Sequence, residues 1–128
     1  MDLTNYRTDA AKKQEGVWIP FFENSQVKIA HFENEEFKAA YRRETAVFTR
    51  TKRDATPDEA SEIMIKLMAR HIILDWKGIK DGGEDLPFSI EAAENLLREV
   101  DAARERLVNE AKDWSNFRKK ADEELEGN

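Results

Sequence analysis

The chain has 128 residues, a formal net charge of −6 and 38% charged residues. This length suits a single domain, and the acidic balance argues against nucleic-acid binding, which needs a clustered cationic face. The absence of cysteine excludes a disulfide framework and thiolate chemistry, and no apolar run approaches the roughly 20 residues of a membrane span.

Residues 1–15 are polar and show no periodicity, so we expect a flexible N-terminal arm. This stretch lacks a basic region followed by an apolar one, so we expect no signal peptide. Residues 16–126 are predicted to form one domain.

Two short apolar segments, residues 17–22 and 27–32, flank the turn-forming residues 23–26. This pattern predicts a β-hairpin over residues 16–32. Both faces of the hairpin carry apolar side chains, and a chain this small can cover one sheet face but hardly two. An uncovered apolar face indicates a contact surface. We therefore predict a partner-binding surface formed by Trp18, Pro20, Phe22, Ala30 and Phe32.

Four helices are predicted, at about residues 34–49, 57–74, 90–99 and 102–125. Asn34 and Ser89 can cap the first and third helices, and the second begins with a capping box from Thr56 to Glu59. In the fourth, apolar residues recur in steps of three and four up to Leu125, giving a narrow stripe that needs a partner. The predicted fold is mainly α with one N-terminal β-hairpin, an α+β fold whose last helix is long.

The chain shows no constellation for catalysis. His31 and His71 lack a second ligand at helical spacing, so neither indicates a zinc site. The acidic, glycine-containing residues 81–85 lack the ligand pattern of a calcium loop. We therefore expect a binding protein rather than an enzyme, with no catalytic, cofactor-binding or metal-binding residues.

Three segments, read in order, resemble the tail assembly chaperones of long-tailed bacteriophages. The resemblance covers roughly residues 10–118, and its most distinctive part is Asp75-Trp76 followed by Gly78-Ile79 and an acidic turn. The segments are Gly16-Val17-Trp18-Ile19-Pro20-Phe21 with the hairpin and helix that follow, Ile72-Ile73-Leu74-Asp75-Trp76-Lys77-Gly78-Ile79 with Leu86-Pro87-Phe88-Ser89, and Glu94-Asn95-Leu96-Leu97 with Trp114-Ser115-Asn116-Phe117.

The resemblance implies a protein of the host cytoplasm that self-associates, coats the tape-measure protein and helps to recruit tail-tube subunits. It implies no cofactor and no membrane association. Some such phages also make a longer product by translational frameshifting, and this chain would correspond to the shorter one. The alternative is an acidic decoy that binds a basic host protein in place of DNA. Interspersed charges, as in Arg104-Glu105-Arg106, favour the chaperone.

Overall fold

A computed structural model describes residues 1–119, which contain five α-helices and five short strands. The helices are α1 (Ala10–Glu15), α2 (Glu35–Thr51), α3 (Pro57–His71), α4 (Ile90–Glu99) and α5 (Asp101–Lys112). The strands are β1 (Val17–Pro20), β2 (Gln26–Ile29), β3 (Ile73–Lys77), β4 (Lys80–Asp81) and β5 (Glu84–Asp85). Two 3₁₀ turns cover Leu3–Asn5 and Trp114–Phe117.

The predicted N-terminal hairpin is confirmed. Strands β1 and β2 pair antiparallel, with Trp18 opposite Lys28 and Ile19 opposite Val27. The turn is closed by a hydrogen bond of 2.9 Å from the Phe21 N–H to the Ser25 carbonyl. Pro20 stands at the end of edge strand β1, where a residue without an N–H is tolerated.

A third strand was not predicted. The helix expected over residues 57–74 ends at His71, and β3 pairs antiparallel with β2 to complete a sheet of order β1-β2-β3. β-Branched Ile73, the first residue of β3, favours extended backbone, while β2 offers an unpaired edge. An uninterrupted apolar run such as residues 72–74 fits the period of a helix and that of a strand equally well. Its structure is therefore decided by the strand beside which it lies.

The count of four helices and the long last helix were wrong. Within residues 1–119 there are five α-helices, because residues 10–15 also form one. Helix α5 ends at Lys112, and Asp113 then accepts a hydrogen bond from the Ser115 N–H to start a 3₁₀ turn. Side-chain capping by Asp113 therefore interrupts a stripe that periodicity alone would continue. Residues 120–125 of the predicted helix lie outside the described residues.

The N-terminal segment is held against the end of the described chain. The Asp9 N–H donates to the Phe117 carbonyl at 2.7 Å, and Lys12 Nζ donates to the Arg118 carbonyl at 2.7 Å. Thr8 and Arg118 form an isolated antiparallel bridge. Phe117 is fully buried beneath these contacts. Residues 8–15, expected to belong to a flexible arm, thus form an ordered part of the fold.

One core joins the inner face of the three-stranded sheet to helices α3, α4 and α5. Val27 and Ile29 of β2 are fully buried, as are Leu97 of α4 and Leu107 of α5. Helix α2 packs mainly on α3 and buries only Phe37 and Ala40, both in its first two turns. The rest of α2 therefore lies at the periphery of the molecule.

The side chain of Asn34 joins three segments of this architecture. Its Oδ1 accepts the Phe37 N–H at 2.8 Å, which caps α2. Its Nδ2 donates to the carbonyl of His31, just after β2, at 2.7 Å and to that of His71, at the end of α3, at 3.1 Å. Because the side chain is only 1% exposed, water cannot replace these bonds.

Asn34→Asp should destabilise the protein by about 2–3 kcal/mol or more at neutral pH, since the new carboxylate keeps the cap but faces two carbonyl oxygens without a donor. The measurement is chemical denaturation. Ser89→Ala, which removes the exposed cap of α4, is the matched control and should cost about 1 kcal/mol. An equal or smaller loss for Asn34→Asp would contradict this role for the amide.

His31 is buried between the hairpin and the 3₁₀ turn Trp114–Phe117. Its ring stacks on Trp114 with centroids 3.6 Å apart, and its Nδ1 accepts the Glu33 N–H at 2.9 Å. Burial lowers the pKa of His31, and the Lys13 charge lowers it further, while the Lys112 backbone and Glu33 oppose the shift. Burial also lowers the pKa of the half-buried His71, with Glu36 opposing and Arg43 and Arg70 reinforcing that effect.

The protein should lose stability as the pH falls below 6.5, the ordinary histidine pKa. In that range the unfolded chain binds protons on both histidines that the folded chain does not, so protonation favours unfolding. Carboxylates with a lowered pKa also lose their contribution to stability in acid, but at lower pH. For Glu59, whose pKa is lowered to about 2, this loss begins only below the ordinary glutamate pKa of 4.5. Urea unfolding at about pH 7.5 and about pH 5.5 measures the histidine contribution.

The variant His31→Asn keeps an acceptor for the Glu33 N–H but cannot be protonated in this range. It should show a smaller difference in stability between the two pH values than the wild type. The double variant with His71→Asn should show almost none. A wild-type protein equally stable at both pH values would rule out the histidine effect.

Candidate partner-binding surface

The three-stranded sheet has one buried face and one open face. Ile19, Val27 and Trp76 point into the core with at most 5% exposure. The alternate residues form rows on the other face, where Trp18 lies beside Lys28 and Lys28 lies beside Asp75. The open face therefore presents a single aromatic ring, that of Trp18, among charged side chains, and it is not a continuous apolar patch.

Trp18 is half-buried, and the side chain of a lysine lies over its ring. Lys77 Nζ lies 4.2 Å from the centroid of the Trp18 ring. Such a contact at an accessible site is worth about 0.5–1 kcal/mol, which is weak enough for a partner to displace. The lysine thus shields the ring from water without closing it off.

Pro20 and Phe22 lie at the end of the hairpin next to α5. Pro20 is exposed, and its carbonyl accepts a hydrogen bond of 3.0 Å from Arg106 Nη2. Phe22 is 42% exposed and packs edge-on against buried Phe21. The Arg106 guanidinium lies 5.0 Å from the Phe22 ring centroid. Each accessible aromatic ring of the hairpin is therefore accompanied by a cation.

Ala30 and Phe32 do not join this surface. Ala30 is fully buried, and its N–H donates to the Ile72 carbonyl. Phe32 packs edge-on against Phe37 at 5.2 Å, and its N–H donates to the Ala111 carbonyl. The alternation does not reach these two residues, because strand β2 ends at Ile29 and their N–H groups bond to segments outside the hairpin. Trp18, Pro20 and Phe22 remain accessible.

The cations of this surface were missed at the sequence level. Lys77 belongs to the unpredicted strand β3, so its place above Trp18 had no basis in the hairpin pattern. Arg106 is 86 positions from Pro20 in the chain. Helical spacing shows which face of α5 carries this arginine, but it does not show that the hairpin turn meets that face.

Residues 1–119 contain no group of three histidine, cysteine or acidic residues that could hold a metal ion. The His31 ring stacks on Trp114, whereas the His71 ring, at the end of α3, has its Nδ1 4.0 Å from a carboxylate oxygen of Glu36. In the same range, no helix combines the length and apolar character needed to cross a membrane.

Comparison with known proteins identifies a family. Residues 32–128, about three-quarters of the chain, match the YdaY prophage protein family. No curated protein and no solved structure matches the chain. The matched part begins just before Asn34 and includes α2, the helices that follow and β3. The chain is thus phage-derived and belongs to the YdaY prophage protein family.

Proposed function

We propose that this prophage protein is a tail assembly chaperone, which self-associates, coats the tape-measure protein and helps to recruit tail-tube subunits in the host cytoplasm. The observation that carries the proposal is the hairpin, whose inner face is buried while Trp18 and Phe22 stay accessible on the outside. Phage origin and the resemblance of residues 10–118 to such chaperones support the same role.

The accessible area of the hairpin suits reversible binding. Covering the exposed parts of Trp18 and Phe22 would bury on the order of 100 Å² each. At about 25 cal/mol per Å² this contributes about 5 kcal/mol, before the costs of association and of ordering side chains. A chaperone that leaves its client before assembly is complete needs contacts of this moderate strength, repeated along the client.

The charge distribution also fits a coating protein. With a net charge of −6, coated complexes repel one another and remain dispersed. On the hairpin, Lys77 and Arg106 flank the aromatic rings, so the surface favours apolar segments with acidic neighbours. An acidic decoy would instead need an uninterrupted array of carboxylates. Here Arg98 is paired with Glu62 and Glu94, which breaks such an array.

The double variant Trp18→Ser/Phe22→Ser should remain folded but lose most of its binding to the tape-measure protein, because it removes accessible apolar area and leaves the core intact. The assay is co-expression with the tape-measure protein of the same prophage, followed by pull-down. Circular dichroism and the melting temperature report folding.

Leu107→Ser provides the contrast, because Leu107 is fully buried in α5. It should lower stability by about 3 kcal/mol or more by leaving a cavity and burying a hydroxyl. If the folded hairpin variant binds the client as well as the wild type, the hairpin is not the client site. Failure of the wild type to retain the tape-measure protein would overturn the chaperone assignment itself.

A further inference from the structure

A groove runs along α4 on the side facing strand β4 and the link before the helix. It encloses about 360 Å³ and has apolar walls that include Ile79, Leu86 and Leu96. Val100, at the end of the groove, is 42% exposed. The rim carries Asp81, Glu91 and Glu99 against one cation, Lys80. The groove therefore suits an apolar side chain flanked by positive charges.

The peripheral part of α2 presents that combination. Arg43, Val47 and Arg50 follow one another in steps of four and three, so they form one stripe on the helix. Val47 is 39% exposed, and both arginines are exposed. At 1.5 Å per residue the stripe is about 10 Å long, which is shorter than the ten-residue helix α4 that borders the groove.

Within residues 1–119, the charges on these two surfaces are not neutralised by ion pairs. Across residues 1–119, neither Arg43 nor Arg50 forms an ion pair with a carboxylate. The rim residues Asp81, Glu91 and Glu99 likewise form none with a lysine or arginine in that range. By contrast, Arg53 beside the stripe and Glu94 on α4 are paired.

We propose that the α2 stripe of one copy docks in the α4 groove of a second copy. The two surfaces are complementary in charge and each has an apolar centre, and helix α2 packs on α3 rather than along the groove. Such a contact joins two different surfaces, so a pair of copies keeps one free stripe, on one copy, and one free groove, on the other. Contacts of this type continue into rings or open filaments. The inference rests on the self-association in the proposed function and names its surfaces.

The test reverses the charges on one surface at a time. Arg43→Glu/Arg50→Glu and Glu91→Lys/Glu99→Lys should each weaken self-association by more than about tenfold, because like charges then face each other. An equal mixture of the two variants should assemble again, since each reversed stripe meets a reversed groove and each native stripe a native groove. Sedimentation velocity measures assembly, and circular dichroism verifies that the variants are folded.

Controls carry the same charge changes at exposed positions elsewhere. Lys66→Glu/Lys112→Glu and Glu15→Lys/Glu105→Lys should assemble like the wild type. A wild type that assembles while both reversals leave assembly unchanged, or a mixture that stays dissociated, would overturn this contact and leave the chaperone proposal standing. A wild type that is monomeric at every concentration would instead refute self-association, and this inference with it.

Discussion

A single buried amide, that of Asn34, joins three segments of this protein. Asn34 fixes the first turn of α2 and bonds to the carbonyls that follow β2 and end α3. A serine or threonine hydroxyl has only one hydrogen to donate, so it could not replace both amide donors and the acceptor. The direction in which α2 leaves the core, and hence the exposure of its distal turns, depends on this junction. Packing adds to this junction at the same end of the helix, because the two buried residues of α2, Phe37 and Ala40, lie in its first two turns.

The family match and the structural core do not share a boundary. The matched region begins at residue 32, yet Val27 and Ile29 before it are fully buried and pair with β3 inside it. Without the hairpin, β3 would lose its ladder and Trp76 its neighbour Val27. The hairpin is therefore part of the same folding unit, and it also carries the accessible rings of Trp18 and Phe22. The α4 groove and the α2 stripe both lie within the matched region.

Local signals predicted the local structure well. Each helix cap expected at Asn34, Thr56 and Ser89 is present, because a cap involves residues only three positions apart. The hairpin follows from alternation and turn residues for the same reason. Strand β3 could not be predicted from local signals, because the sequence of residues 72–74 is compatible with a helix and with a strand. Pairing with β2 decides between the two. The burial of Ala30 likewise depends on a bond to Ile72, and the cation above Trp18 depends on β3.

The bridge between Thr8 and Arg118 brings the two ends of the described fold next to each other. Residues paired in an antiparallel ladder have Cα atoms about 4.5–5.5 Å apart, within the range of about 4.4–6.8 Å that a disulfide spans. Because the sequence contains no cysteine, a pair introduced at these positions would have no competing thiol. The resulting covalent loop would enclose nearly the whole described fold, and restricting the unfolded chain in a loop of about 100 residues is worth about 4.7 kcal/mol. The fold thus already brings together two points whose covalent closure would restrict most of the unfolded chain.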